Sequence, residues 1–109
     1  MSDELAFASA LELAARVRTR EVSPAELTAL YLERIERIDP QLNAYVTVVD
    51  EPAAARDGPF HGVPIPIKDL TETAGIRTTY SCKAFAANVP DADASVVRKI
   101  RDAGFTVIG

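Results

Sequence analysis

Tryptophan is absent from the 109 residues, and cysteine, histidine and methionine each occur once. The single cysteine, Cys82, excludes an internal disulfide. With only His61 beside it, no cluster of metal ligands is available, and neither a metal nor a cofactor is expected. No apolar run approaches the roughly 20 residues needed to cross a bilayer, so no membrane association is expected. The opening residues Met1-Ser2-Asp3-Glu4 are acidic, opposite to the charged start of a secretory signal, and a cytoplasmic location follows as the expectation. Positive charge is also short. A net charge of -4 argues against direct binding of nucleic acid, which needs clustered cations. The one basic cluster, Arg16, Arg18 and Arg20, falls near the end of a predicted helix, where it complements the helix dipole.

What remains is the composition of a globular chain, 48% apolar and 26% charged. The length allows one domain with a small core, burying roughly two thirds of its unfolded surface. Two helix starts are written out. Ser9 and Glu12 fit a capping box, followed by an apolar stripe of Ala10, Leu13, Ala14 and Val17. Ser23-Pro24-Ala25-Glu26 is a stronger start, because Pro24 takes the first helical position, where a missing N–H costs nothing. Leu27, Tyr31, Ile35 and Ile38 form its stripe, and Asp39-Pro40 is expected to end it. The short connection predicts a helical hairpin over residues 1–40.

Residues 41–109 read as the start of an α/β core. Ala44 to Val49 is β-branched and aromatic and predicts a strand. Residues 51–58 form a short polar and alanine-rich link. Val63-Pro64-Ile65-Pro66-Ile67 is extended, but its prolines restrict pairing to one side. Residues 69–92 are mostly loop. Asp93 or Asp91 is expected to cap a helix with the stripe Val96, Val97, Ile100 and Ala103. Gly104 suits the left-handed position after its end, and Phe105 to Ile108 forms a further strand. Such a strand wants neighbours on both sides, so the chain reads as cut short. Ile65, Ile67, Phe105, Val107 and Ile108 are accordingly expected to lack cover, and autonomous folding to be poor.

Chemistry concentrates at Lys68, which follows the apolar extended segment and precedes a Gly/Thr loop. On one reading it marks a strand end with its ammonium in water. On the other it is desolvated at the end of a sheet and acts as a base. Lowering a lysine from about 10.4 to about 7–8 costs roughly 4 kcal/mol, and a carboxylate as near as Asp69 would oppose it. Residue chemistry alone leaves both readings open. A thiol nucleophile formed by Cys82 and His61 is disfavoured, since a lone cysteine is usually a small buried hydrophobe. His61 reads as a loop residue bonding backbone.

Three ordered blocks resemble the amidase-signature family: Gly62-Val63-Pro64 with Lys68-Asp69, then Gly75-Ile76-Arg77-Thr78-Thr79, then Asp91-Ala92 with a helix and Ala103-Gly104. The helical region and Leu42-Asn43-Ala44-Tyr45 also look like the amino-terminal part of that family. The resemblance thus covers nearly the whole chain and implies the amino-terminal part of a single amidase-signature domain, with the first strands and helix of its mixed sheet, incomplete. It further implies amide hydrolysis by a serine, a second serine held by a cis peptide and a lysine, with Lys68 as the catalytic base. No Gly-Gly-Ser-Ser-Gly-like run occurs, so the chain alone is expected to be inactive. The implied partner is a small amide substrate, and a homo-oligomer is compatible. Substrate-binding residues remain unassigned. Two alternatives stand beside a stand-alone amidase: the amide-hydrolysing subunit of a tRNA-dependent amidotransferase, and a non-catalytic interaction or remnant protein. Two departures from the family pattern stand out. The link before Gly62 is shorter than usual, which reads as a surface deletion, and Ser81-Cys82 replaces the common Gly-Ser.

Overall fold

The computed structural model describes residues 2–109. Helix α1 (Ser2–Ala6) leads into α2 (Ala10–Arg18) and α3 (Pro24–Leu42). Both expected capping boxes form. The Ser9 hydroxyl accepts from the Glu12 amide at 3.2 Å while the Glu12 carboxylate accepts from the Ser9 amide at 3.1 Å. Ser23 and Glu26 repeat the arrangement, with Pro24 opening α3. Leu13, Ala14 and Val17 are buried, whereas Ala10 stands exposed, outside the stripe.

Helix α3 does not stop at Asp39-Pro40 but runs to Leu42, with Asn43 left-handed at its end (φ 54°). Pro40 lies in the last turn, so its missing N–H removes a single helix bond. Asp39 offsets that loss: its carbonyl accepts from Asn43 N at 2.7 Å, and its carboxylate accepts from Ala44 N at 2.7 Å and Tyr45 N at 3.2 Å. Leu5, Leu13, Ala14, Val17, Val22, Leu27 and Val63 form the buried core of this half. Phe60 stacks on Phe105 beside it, with centroids 4.7 Å apart.

The sheet has two parallel strands, β1 (Pro64–Ile65) and β2 (Thr106–Val107), in the register Pro64↔Thr106 and Ile65↔Val107. Thr106 N donates to Val63 O at 2.8 Å, Ile108 N to Ile65 O at 3.0 Å, and Ile67 N to Gly109 O at 2.8 Å. The odd-numbered residues therefore face β2, and Pro64 and Pro66 put their missing donors on the free edge. The chain from Ala44 to Val49 is not a strand, contrary to expectation. Three of its ladder groups are taken by side chains: Asp39 holds the amides of Ala44 and Tyr45, and Arg77 donates to Val46 O. One backbone bond, Val49 N to Ile108 O at 2.9 Å, ties it to the end of β2.

Helix α4 (Ser95–Asp102) begins after Ala94, and neither Asp91 nor Asp93 caps it. Asp93 instead accepts from Ala74 N at 2.7 Å and lies 3.0 Å from Arg101 Nε, joining the preceding loop to α4. Val97 is fully buried while Val96 is exposed, so the stripe is narrower than its sequence suggests. Gly104 turns the chain at φ 100°, as expected. The strand residues are also better covered than expected: Val107 and Ile108 are buried, and Ile65, Ile67 and Phe105 are half-buried. Among the described residues, no helix is long and apolar enough to cross a membrane.

Candidate functional site

Because β1 and β2 are parallel, their carboxyl ends open to the same side, the usual location of ligand sites in open α/β sheets. A cleft of about 720 Å³ lies there. It is lined by Pro66 to Thr71 and Gly109, by Ala44 to Thr47, and by Thr73, Ile76 to Thr78 and Ser81. That volume lies within the span of small-molecule sites, about 300–1,000 Å³.

Lys68 sits in this cleft and is exposed. The desolvation that a lysine base requires is therefore not provided by the described residues. No ion pair among them involves its ammonium. The adjacent Asp69 is turned into the following loop. Its carboxylate accepts from Thr79 N at 2.8 Å, from the Thr79 hydroxyl in a short hydrogen bond, and from Ser81 N at 3.4 Å. Burial works against the Asp69 charge, but these hydrogen bonds, with Arg77 nearby, outweigh it and hold the carboxyl below its ordinary range.

The loop that supplies these donors is strained. Tyr80 and Ser81 are both left-handed, at φ 55° and 57°. Each non-glycine residue there costs about 1–2 kcal/mol. Ser81 thus occupies a conformation that glycine adopts without this cost. Arg77 ties this loop to residues 46 and 47: Nε donates to Ala86 O, and Nη1 donates to Thr47 Oγ1 at 3.2 Å and Val46 O at 3.4 Å. Burial, and then Asp39, push the Tyr45 phenol above its ordinary range, so it is neutral at physiological pH.

His61 and Cys82 are not brought together. His61 Nδ1 bonds Arg56 O at 2.8 Å and lines a separate groove beside Pro24 and Asp50. Cys82 is exposed, contrary to the expectation of a buried thiol. No group of three or more metal-ligating side chains occurs among the described residues. The Asp69 clamp, the Arg77 brace and Tyr45 were not legible as site residues. The Thr78-Thr79 pair, buried at 2% and 5%, was the available signal, but its partner lies ten residues upstream.

The amidase family profile matches residues 26–109. The chain is 42% identical to a glutamyl-tRNA(Gln) amidotransferase subunit of Acidothermus cellulolyticus, over 100% of this chain and 24% of that protein. It is 41% identical to a putative amidase of Mycobacterium bovis, over 90% of this chain and 23% of the relative. Among solved structures, the corresponding glutamyl-tRNA(Gln) amidotransferase subunit of Thermotoga maritima superposes with a TM-score of 0.82 at 32% identity, over 96% of this chain and 23% of that one. The peptide amidase of Stenotrophomonas maltophilia gives 0.84 at 32% identity, over 95% and 24%. The chain thus spans about a quarter of the length of the relatives it matches. The first of these alignments covers 122 positions against 109 residues here, so that relative carries extra residues inside the matched stretch. With the profile covering most of the chain, and β1, Lys68 and the Thr78-Thr79 loop all within it, the chain belongs to the amidase signature family.

Proposed function

We propose that this chain supplies the proton-accepting lysine, Lys68, of an amide hydrolase whose nucleophilic serine and relay serine come from a longer polypeptide. The observation that supports this is the position of Lys68 in a cleft at the carboxyl ends of both parallel strands, with the Asp69 carboxylate bonded to the Thr79 amide. On this reading the lysine takes a proton through the relay serine, the nucleophile attacks the amide carbonyl, and water releases the acyl group. Closure of the cleft by the remaining polypeptide would supply the desolvation that an exposed Lys68 lacks. The substrate class is a small amide.

The 109-residue chain by itself is expected to hydrolyse no amide; turnover that disappears with Lys68→Ala would contradict this. The reading is tested by placing the chain in the matched quarter of the Stenotrophomonas maltophilia peptide amidase. The chimera is expected to hydrolyse peptide amides, and Lys68→Ala to lower kcat by roughly three orders of magnitude or more. Undiminished turnover in a folded Lys68→Ala chimera would overturn the proposal and leave an interaction or remnant role. A second reading, the amide-hydrolysing subunit of a tRNA-dependent amidotransferase, is favoured by relatives that carry that name at 40% and 42% identity. Its mark would be tRNA-dependent activity together with a companion subunit.

A further inference from the structure

We infer that Asp69 is a positioning residue for Lys68: three donors on the Thr79–Ser81 turn hold its carboxylate and keep it from pairing with the neighbouring ammonium. The inference builds on the reading of Lys68 as the base. A lysine followed directly by an aspartate is otherwise a poor base, because an opposite charge within about 4–6 Å favours the protonated form by about 1–3 units. Here the carboxylate is engaged elsewhere, by Thr79 N at 2.8 Å, the Thr79 hydroxyl, and Ser81 N at 3.4 Å. The Asp69 carbonyl also accepts from Tyr80 N at 2.9 Å.

The turn that delivers these donors is the segment where Tyr80 and Ser81 are left-handed, at φ 55° and 57°. Strain of this kind persists only where surrounding bonds over-determine it. The clamp and the strained turn are therefore one device, in which the Asp69 charge holds the turn and the turn holds the charge. The charged and titratable side chains that line the cleft with Lys68 are Asp69, Arg77 and Tyr45. Arg77 is tied to Ala86 O, Val46 O and Thr47 Oγ1, and Tyr45 stays neutral. Asp69 is thus the side-chain carboxylate of this lining.

The test follows the titration of Lys68, which is resolvable because the chain has three lysines, Lys68, Lys83 and Lys99. Lysine labelled with ¹³C at Cε reports each by NMR. Asp69→Asn is expected to leave the Lys68 midpoint within a few tenths of a unit, since the carboxylate is held on the Thr79–Ser81 turn and forms no ion pair with the ammonium. Thr79→Val, which deletes the hydroxyl donor, is expected to move it to higher pH by up to about one unit. Thr79→Ser should restore it, and Asp69→Asn should cancel the Thr79→Val shift. In the peptide amidase chimera, Thr79→Val should shift the rising limb of kcat/KM in the same sense. A merely structural clamp would lower kcat without moving that limb. A downward shift of about one unit in Asp69→Asn alone would overturn the inference, as would identical titrations in wild type and Thr79→Val in both settings. Failure of the base reading is separable: there Lys68→Ala stays active whatever the titrations show.

Discussion

Residues 2–42 and residues 43–109 solve the same problem, satisfying backbone polar groups, over different distances. In the first region the caps reach three residues along the chain, Ser9 with Glu12 and Ser23 with Glu26. In the second, the corresponding bonds cross 10 residues from Thr79 to Asp69, 19 from Ala74 to Asp93 and 31 from Arg77 to Val46. Longer closures cost little extra entropy, since each doubling of a loop adds only about 0.6 kcal/mol. What they require is a partner in the right place. The helix starts therefore carry their instructions locally, although Tyr31 Oη also donates to Leu5 O across 26 residues. The cleft instead depends on polar side chains that tie separate segments together.

The sharpest way to break this contrast is inside the second region, next to Phe60 and Phe105, which pack against the helical core. Gly104 follows α4 at φ 100°, and a Cβ there would lie 2.8 Å from His61 Cα and N and 2.9 Å from Arg56 O. These contacts are backbone and cannot swing aside. Gly104→Ala is expected to destabilise the chain by about 3 kcal/mol, combining strain at the left-handed position with overpacking. Urea titration followed by circular dichroism and by loop proteolysis measures it. If helices and loops lose stability together, the two regions fold as one unit. An unchanged helical midpoint would show that α2 and α3 stand independently of the cleft.

That contrast also explains what could be read from the sequence. The starts of α2 and α3, the one-sided pairing of the proline strand and the turn at Gly104 each depend on residues within a few positions, and each follows from local rules. The end of α3 did not, because Asp39 reaches forward to Ala44 and Tyr45 and carries the helix past Pro40. The same Asp39 bonds, with Arg77, took three of the groups that would have made Ala44 to Val49 a strand. Asp93 was expected at a helix start for its cap propensity, but Ala74 N and Arg101 claimed it. Lys68 was legible through its motif. The clamp that keeps Asp69 from it was not, since nothing in Thr78-Thr79-Tyr80-Ser81 announces where the donors point.

A smaller effect sharpens the local half of the comparison. Ser23→Ala removes the hydroxyl that accepts from Glu26 N at 3.0 Å and should cost about 1 kcal/mol. The loss should show in the urea midpoint and in the helical signal. It should leave the Lys68 titration unmoved, because no bond of that capping box reaches the cleft. A shift of Lys68 in this variant would mean that the cap and the cleft are coupled and that the division drawn at residue 43 is wrong.

The smallest expected effect lies in the strained turn. Ser81→Gly relieves a left-handed residue at φ 57°, a gain of about 1 kcal/mol. The added freedom of glycine in the unfolded chain takes back about 0.5–1 kcal/mol. The net change in global stability should therefore be a few tenths of a kcal/mol at most, with the sign set by how firmly Asp69 holds the turn. Tyr80 is the less informative position, because its hydroxyl donates to Glu72 at 2.6 Å and its ring meets Phe85 edge-on at 5.3 Å, so glycine there removes contacts as well as strain. In the Ser81→Gly background the turn needs less enforcement from the carboxylate, and Asp69→Asn should then destabilise less than it does with Ser81. Equal costs of Asp69→Asn in the two backgrounds, measured by urea titration, would separate the clamp from the strain and leave Asp69 holding a turn that needs no holding.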